Sequence, residues 1–154
     1  MSDLHPDLVP ADAPEAAAAV PVRFVGPKDR IADNAASWAA LNGFRGRPGQ
    51  IVLVPGADGG LDRVLAGVGE AFDPMSARGL AGRLPTGVYR LEAQPDEAKA
   101  AALAFLLGSY VFDRYKARPD RERPRLVAPE GLDVKEASHI AAACALAREM
   151  IDTP

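Results

Sequence analysis

Residues 51–66 read IVLVPGADGGLDRVLA, which is an apolar run, a turn and a second, partly apolar run. The run Ile51–Val54 contains no polar residue, a pattern typical of a strand that is buried on both faces of a sheet. A Pro-Gly pair ends this run, and Asp58-Gly59-Gly60 is a strong turn signal that leads to a second strand over Arg63–Ala66. The stretch therefore predicts two sheet strands joined by a tight turn.

On both sides of this stretch, predicted strands alternate with predicted helices. Each helix is indicated by a capping residue that precedes apolar side chains at helical spacing. The further strands are Val22–Val25, Val88–Leu91 and Leu126–Ala128, and the helices run from Asp29 to Gly43, Asp73 to Leu84, Asp96 to Lys116 and Asp133 to Ile151. This alternation predicts an α/β fold, in which helices sandwich a mixed, largely parallel sheet.

Two of the helices carry more specific expectations. The first is expected to place Trp38 in the core, where Trp38 and the nearby Phe44 would act as anchors rather than as a platform for a ligand. The last begins with Asp133 and Glu136 at the spacing of a capping box. It carries an apolar stripe formed by Ile140, Cys144, Ala147 and Ile151.

The chain divides into three predicted parts. Residues 1–21 mix proline, aspartate and alanine without a helical period, which predicts an N-terminal tail that is loosely ordered or draped over the domain. The α/β domain follows over residues 22–132, and the last helix occupies residues 133–154. The N-terminus lacks the pattern of a signal peptide, and the longest apolar run is shorter than the about 20 residues of a membrane span. With Cys144 as the single cysteine, these features predict a cytoplasmic protein.

The charge balance argues against nucleic acid as the main partner. The 154 residues carry a net charge of −3, whereas binding to phosphates relies on lysine and arginine. One segment is nevertheless locally basic and contains Arg114, Lys116, Arg118, Arg121, Arg123 and Arg125. Acidic residues interleave with it, which favours a solvated loop. A docking surface for an acidic partner or for a nucleic-acid backbone is the alternative.

The glycines that follow the first quoted strand are one candidate for a binding site. Gly56, Gly59 and Gly60 occupy the place of a phosphate-binding loop, but no Gly-Lys-Ser/Thr or Gly-x-Gly-x-x-Gly motif is present. A hairpin turn that needs a positive φ is therefore the favoured interpretation.

No other combination of residues indicates a self-sufficient active site. Glu136 and His139 are three residues apart on a predicted helix, yet a metal site needs three or four ligands. Cys144 lies on the apolar stripe, and His139 is expected on a different face of the helix, where it cannot act as a base for the thiol. We therefore predict no catalytic, cofactor-binding or metal-binding residue in this chain.

Two segments resemble signature motifs of the leucyl (cytosol) aminopeptidases. Residues 107–116, LGSYVFDRYK, resemble the family's Leu-Gly-x-Tyr-x-Phe-x-x-Tyr-Lys helix. Residues 146–154, LAREMIDTP, resemble its Leu-Ala-Arg-Asp-Leu-Ile-Asn-Thr-Pro motif, with Glu149 and Asp152 in place of the usual Asp and Asn. In the family the second motif ends a linker helix that enters the catalytic domain. The resemblance implies that this chain is the N-terminal domain, with a macro-domain-like fold.

The resemblance also implies a function for the parent protein. It would be a hexameric enzyme that uses two divalent metals, zinc or manganese, to remove N-terminal residues from peptides. All metal ligands of the family belong to the catalytic domain, so this chain is predicted to be inactive alone. Its predicted partner is that catalytic domain, and its predicted role is to support assembly and to shape access of peptide substrates to the active site. The alternative is a stand-alone binding module for nucleic acid or for a nucleotide-like ligand.

Overall fold

A computed structural model describes residues 4–111 and 122–152, with the side chain of the last residue left out. The described residues form a six-stranded sheet in the order β1-β6-β5-β2-β4-β3. The strands are β1 (Leu8–Val9), β2 (Val20–Val25), β3 (Ile51–Pro55), β4 (Leu61–Gly67), β5 (Gly87–Glu92) and β6 (Pro124–Val127). The α-helices are α1 (Asp33–Leu41), α2 (Leu80–Arg83), α3 (Pro95–Gly108) and α4 (Val134–Asp152), and short 3₁₀ helices span Pro14–Ala18 and Pro74–Gly79.

The sheet is mixed and largely parallel, as the sequence predicted. β2 pairs in parallel with both β4 and β5, and β6 pairs in parallel with β1 and β5. The antiparallel pair is β3 with β4, which the tight turn after Pro55 allows. The parallel strands are joined by helical crossovers, and this arrangement confirms the α/β fold class.

Helices cover both faces of the sheet. On one face α1 packs over residues of β2, β3 and β4 in a small core that includes Val25, Val54 and Leu65. On the other face the larger core surrounds Phe105 of α3, which is fully buried. Alanines of α3 and α4 contribute to this second core, so the helices can approach the sheet closely despite the low aromatic content.

The prediction that Ile51–Val54 is buried on both faces is wrong. β3 lies at the edge of the sheet, and its side chains alternate between buried and exposed positions. Val52 and Val54 are buried beneath α1, whereas Leu53 is 39% exposed. On the opposite face Ile51 is half-buried against the larger core, so that face is covered only at the start of the strand.

Residues 4–21, predicted as a tail that is loosely ordered or draped over the domain, form ordered elements that lie against it. Leu8 pairs with Leu126 of β6, and the Pro14–Ala18 helix packs near β5, where the Arg90 guanidinium donates to the Ala16 carbonyl at 2.7 Å. Val20 and Pro21 already belong to β2. The composition concealed this order because β1 is held by pairing with a strand from the opposite end of the chain.

The start of α1 and the position of Trp38 also correct the sequence prediction. Asp29 does not cap α1, since its carboxylate accepts a bond from Gly26 N–H at 2.7 Å and the helix begins only at Asp33. The buried face of α1 consists of Ala35 and Ala39, while Trp38 is 38% exposed. Phe44 is buried, as predicted.

Two helices of the larger core differ from the prediction in form, start or length. Asp73 accepts a bond from Met75 N–H, which confirms it as a cap, but a 3₁₀ helix follows it before α2 begins. Asp96 lies inside the first turn of α3 and does not cap it, because Gln94 is the N-cap and the helix begins at Pro95. The helix ends at Gly108, before Lys116, which lies outside the described residues. At the helix end the Leu106 carbonyl accepts from both the backbone N–H and the hydroxyl of Ser109.

The predicted start of α4 is confirmed, but its predicted inner face is wrong. The Asp133 carboxylate accepts a bond from Glu136 N–H at 2.9 Å, as an N-cap should. The face that packs inward is built from the small residues Ala137, Ser138 and Ala141. The apolar stripe expected there instead turns toward solvent at Ile140 and Ile151.

Candidate interaction surfaces and the junction of the signature segments

The two signature segments meet at Arg148 of α4. Its Nη1 donates to the carbonyl oxygen of Leu107 at 2.6 Å, and its guanidinium lies 5.8 Å from the centroid of the Tyr110 ring. The Arg148 side chain is thus fixed in two directions, by a charged hydrogen bond to a helix-end carbonyl and by a cation–π contact. Arg148 therefore joins α4 to the end of α3.

Gly108 of the first signature segment allows α3 to lie against the 3₁₀ helix Pro74–Gly79. A Cβ at this position would lie 1.9 Å from the Arg78 carbonyl oxygen and 2.8 Å from its carbon. Both atoms belong to the backbone, so the neighbour cannot move aside by a side-chain rotation. The glycine of the motif is thus a steric requirement of this packing.

The segment that precedes β1 holds the beginning of α4. His5 N–H donates to the Ser138 hydroxyl at 3.0 Å, and that hydroxyl donates to the Val134 carbonyl at 2.7 Å. The His5 Nδ1 atom accepts a bond from Asp7 N–H at 3.2 Å, which requires an unprotonated nitrogen. Burial lowers the pKa of His5, the Asp7 carboxylate partly opposes this effect, and the Arg123 charge adds to it.

This contact predicts a dependence of stability on pH. Because burial in the folded protein holds the pKa of His5 below its ordinary value of 6.5, the unfolded chain binds the proton more readily. The stability that unprotonated His5 contributes is complete above pH 6.5 and is lost as the pH falls through the lowered pKa of the folded state. Between pH 7.5 and about 5, the melting temperature of His5→Asn should therefore fall less than that of the wild type, measured by thermal unfolding.

The matched control for this prediction is His139→Asn, because His139 is exposed on α4. It should leave the pH dependence of the wild type unchanged. Equal pH dependence in His5→Asn and the wild type would show that the buried imidazole is not the titrating group.

The outward face of α4 is apolar along much of its length. Its exposed large hydrophobic residues are Ile140, Leu146, Met150 and Ile151. Leu146 and Met150 are one helical turn apart and therefore lie side by side. We refer to these four residues as the α4 outer face. Three of them cluster near the end of the helix, and an exposed apolar cluster of this kind is typical of a surface that another structural unit covers.

A cleft of about 740 Å³ lies where β2, β4 and β5 end. The carboxyl ends of parallel neighbouring strands form the usual binding crevice of an α/β sheet. Four carboxylates and one lysine line this cleft, namely Asp29, Glu70, Glu92, Glu97 and Lys28. Lys28 is itself 3.6 Å from Glu70. This excess of negative charge would repel the phosphates of a nucleotide, so the cleft does not favour a nucleotide-like ligand.

The glycines after β3 form a hairpin turn, as predicted. Gly56 N–H donates to the Gly60 carbonyl at 2.7 Å, and Gly59 has a φ of +82°. The Asp58 carboxylate accepts a bond from Gly60 N–H, which closes the turn. The backbone donors of Gly56 and Gly60 are therefore used within the turn, and these glycines do not form a cradle for a phosphate.

The other sequence candidates do not converge on a reaction centre. Glu136 and His139 are both exposed on α4, and Cys144 is a free, half-buried thiol. Within residues 4–111 and 122–152, no group of three His, Cys, Asp or Glu side chains is placed to hold a metal ion. The described residues therefore do not fit the metal pair that the resemblance implied for the parent enzyme.

The described part of the basic segment bonds to the domain itself. Arg123 donates to the Ser109 carbonyl at 3.3 Å, and Arg125 pairs with Glu15 at 3.3 Å. The predictions for Arg114, Lys116, Arg118 and Arg121 concern residues outside the described ranges. Across the described parts of the chain, none of the helices combines the length and apolar character that crossing a membrane requires.

The fold and the surfaces described above define the class of protein, which is an α/β domain whose prominent features are packing surfaces. A model of the M17 aminopeptidase N-terminal domain matches residues 28–129, and the chain belongs to this family. The resemblance to leucyl (cytosol) aminopeptidases is thereby confirmed. The match begins just after β2, spans the elements from α1 to β6 and ends before α4.

Individual relatives agree with this assignment. A probable cytosol aminopeptidase of Gluconobacter oxydans is 35% identical over 134 residues, which cover 75% of this chain and 27% of the relative. The crystal structure of the cytosol aminopeptidase from Coxiella burnetii superposes with a TM-score of 0.78 at 26% identity, over 96% of this chain and 33% of that one. Tomato leucine aminopeptidase shares the fold, with a TM-score of 0.69 at 17% identity, over 100% of this chain and 40% of that one. The chain thus spans about a quarter to two fifths of the length of these relatives.

Proposed function

We propose that this chain is the non-catalytic N-terminal domain of a two-metal leucyl aminopeptidase that removes N-terminal residues from peptides. The domain would support assembly of a cytoplasmic hexamer and shape access of substrates to the active site. The observation that carries the proposal is the combination of the family match with the α4 outer face. The relatives of this domain are much longer than the chain, and their additional length is where a reaction centre would lie.

The partner surface in this proposal is the α4 outer face, which would pack against the catalytic domain. The inner side of α4 is already occupied by the larger core, and both ends are bonded to the domain, through Ser138 near the start and Arg148 near the end. A helix fixed in this way presents a preformed surface, so little conformational entropy would be lost when a partner covers it. The zinc or manganese ions of the enzyme would be held entirely by the catalytic domain.

The absence of catalysis is tested by incubating the chain with leucine amide and either Mn²⁺ or Zn²⁺. No turnover is expected, because the described residues place no three metal ligands together. The double variant Glu136→Gln/His139→Asn is the matched control. Turnover that the control abolishes would assign a metal site to α4 and overturn the proposal, and turnover that survives in the control would place a reaction centre elsewhere in the chain.

The partner surface gives a separate prediction for Leu146→Glu/Met150→Glu. Because both side chains are exposed, the double substitution should change the free energy of unfolding by no more than about 0.5 kcal/mol per site. Binding of a hydrophobic fluorescent dye should fall markedly, since the apolar surface is removed. Ala141→Glu is the contrasting variant and should destabilise the fold, because Ala141 is buried in the larger core. Strong destabilisation by the Leu146/Met150 variant would instead place this face inside the domain.

The alternative of a stand-alone binding module has a direct test as well. A salt-dependent isotherm with duplex DNA, saturating at micromolar protein near physiological salt, would support it. Replacing Arg121, Arg123 and Arg125 would then have to weaken the binding. We expect no such saturation, because Arg123 and Arg125 bond within the domain and the crevice is acidic.

A further inference from the structure

The β3 edge of the sheet is the starting point of an inference that is independent of the proposed function. Within the described residues, β3 (Ile51–Pro55) pairs with β4 on one side and has no strand on the other. At the opposite edge, β1 has only two residues. An edge strand offers unpaired N–H and C=O groups to any extended chain that approaches it. The β3 edge is the longer of the two.

The register identifies which backbone groups point outward. Gly67 N–H donates to the Gln50 carbonyl at 2.8 Å, and the pairing continues as Val52 with Leu65 and Val54 with Arg63. In an antiparallel pair, bonded and non-bonded positions alternate. The N–H and C=O groups of Ile51 and Leu53 therefore point away from the sheet.

The side chain of Trp38 reaches this edge from α1. Its Nε1–H donates to the outward carbonyl of Leu53 at 2.8 Å. Trp38 is 38% exposed because its ring lies at the rim of the sheet and not in the core beneath α1. At the end of the strand, Pro55 has no N–H to offer, and the register shifts between Val54 and Pro55. The centre and the end of the edge are thus both blocked.

The strand that these residues protect is prone to self-pairing. Ile51–Val54 is uncharged, and three of its four residues are β-branched, so it matches the composition of segments that add to one another as strands. The Leu53 side chain is already 39% exposed beside the edge. We propose that the β3 edge is a latent pairing surface for the same strand of a second copy of this chain, and that the Trp38 indole N–H keeps it closed.

The geometry of the pair follows from symmetry. Two copies related by a two-fold axis would pair their β3 strands antiparallel, with Leu53 near the axis. Each Leu53 carbonyl would then exchange its bond to Trp38 for a bond to the partner strand. The partner is therefore an extended apolar strand. Its backbone N–H competes with the indole N–H of Trp38 for the Leu53 carbonyl oxygen.

The test compares the self-association of Trp38→Phe and wild type by sedimentation velocity over a concentration series. Phenylalanine keeps an aromatic ring but removes the donor, so the dimer dissociation constant should fall at least about tenfold, because two indole bonds, one in each copy, no longer have to be broken. Leu41→Ala is the control, because Leu41 is a highly exposed residue of α1 without a bond to the edge, and it should behave as wild type. Adding Leu53→Lys to Trp38→Phe should reverse the gain, since a charge opposes strand addition.

Two results would overturn the proposal. One is self-association of Trp38→Phe equal to that of wild type, and the other is a gain that Leu53→Lys does not reverse. If Trp38→Phe does not fold, Pro55→Val decides, because it keeps the indole and restores an N–H at the end of the strand. Unchanged association of a folded Pro55→Val would then count against the β3 edge, and increased association that Leu53→Lys reverses would support it.

Discussion

Gly108→Ala is expected to lower the free energy of unfolding by about 3 kcal/mol, the upper end of the cost of overpacking. The added Cβ would lie 1.9 Å from the Arg78 carbonyl oxygen, so α3 and the 3₁₀ helix Pro74–Gly79 would have to separate. Separation would open the larger core around Phe105 and would also displace the Leu107 carbonyl to which Arg148 donates. Urea unfolding followed by circular dichroism measures the effect.

Gly82→Ala is the matched control for this substitution. Gly82 lies in α2, and a Cβ there would meet no atom within 4 Å. Alanine should therefore leave stability unchanged or raise it by up to about 1 kcal/mol through helix propensity. A loss in Gly108→Ala no larger than the change in Gly82→Ala would show that the close approach of α3 is not required.

Phe105→Ala is expected to lower the free energy of unfolding by about 3–5 kcal/mol, the usual cost of removing a buried aromatic side chain. Phe105 is fully buried at the centre of the larger core, where residues from the sheet, α2, α3 and α4 meet. Much of that core consists of alanine, whose short side chains cannot move to fill the cavity. Equilibrium unfolding in urea at a fixed pH provides the measurement.

Leu41→Ala provides the comparison for Phe105→Ala. Leu41 is 79% exposed at the end of α1, so its truncation should change stability by less than about 0.5 kcal/mol. Phe105→Leu should fall between the two, because it retains part of the buried volume. A cost of Phe105→Ala near that of Leu41→Ala would mean that the larger core does not depend on this ring.

The sequence predicted the fold class well because the signals for it are local. The apolar run of β3, the turn at Asp58-Gly59-Gly60 and the Asp133 cap each act within a few residues, and the structure confirms each as an element. The two signature segments were recognisable as motifs. Their contact through Arg148 was not, because the spacing along the chain does not show which residues meet.

The wrong predictions concern burial and order that depend on the neighbours of each element in the folded chain. An apolar strand has the same sequence pattern at the centre and at the edge of a sheet. The exposure of Leu53 therefore could not be predicted without knowing which strands flank β3. Trp38 is large and apolar, but its indole N–H found an acceptor at the sheet rim. The pairing of β1 and the contact between His5 and Ser138, 133 positions apart, leave no local signal in a proline- and alanine-rich segment.

That long-range contact has a consequence for the order of folding. β1 is synthesised well before its partner β6 and before the Ser138 hydroxyl, which lies 133 positions after His5. The conformational entropy of so large a loop is lost before the contact between its ends can compensate for that loss. The contact therefore forms only when much of the intervening chain is already compact. The β2-β4-β3 part of the sheet can assemble early, and β1 then adds to the opposite edge, beside β6, as a late step.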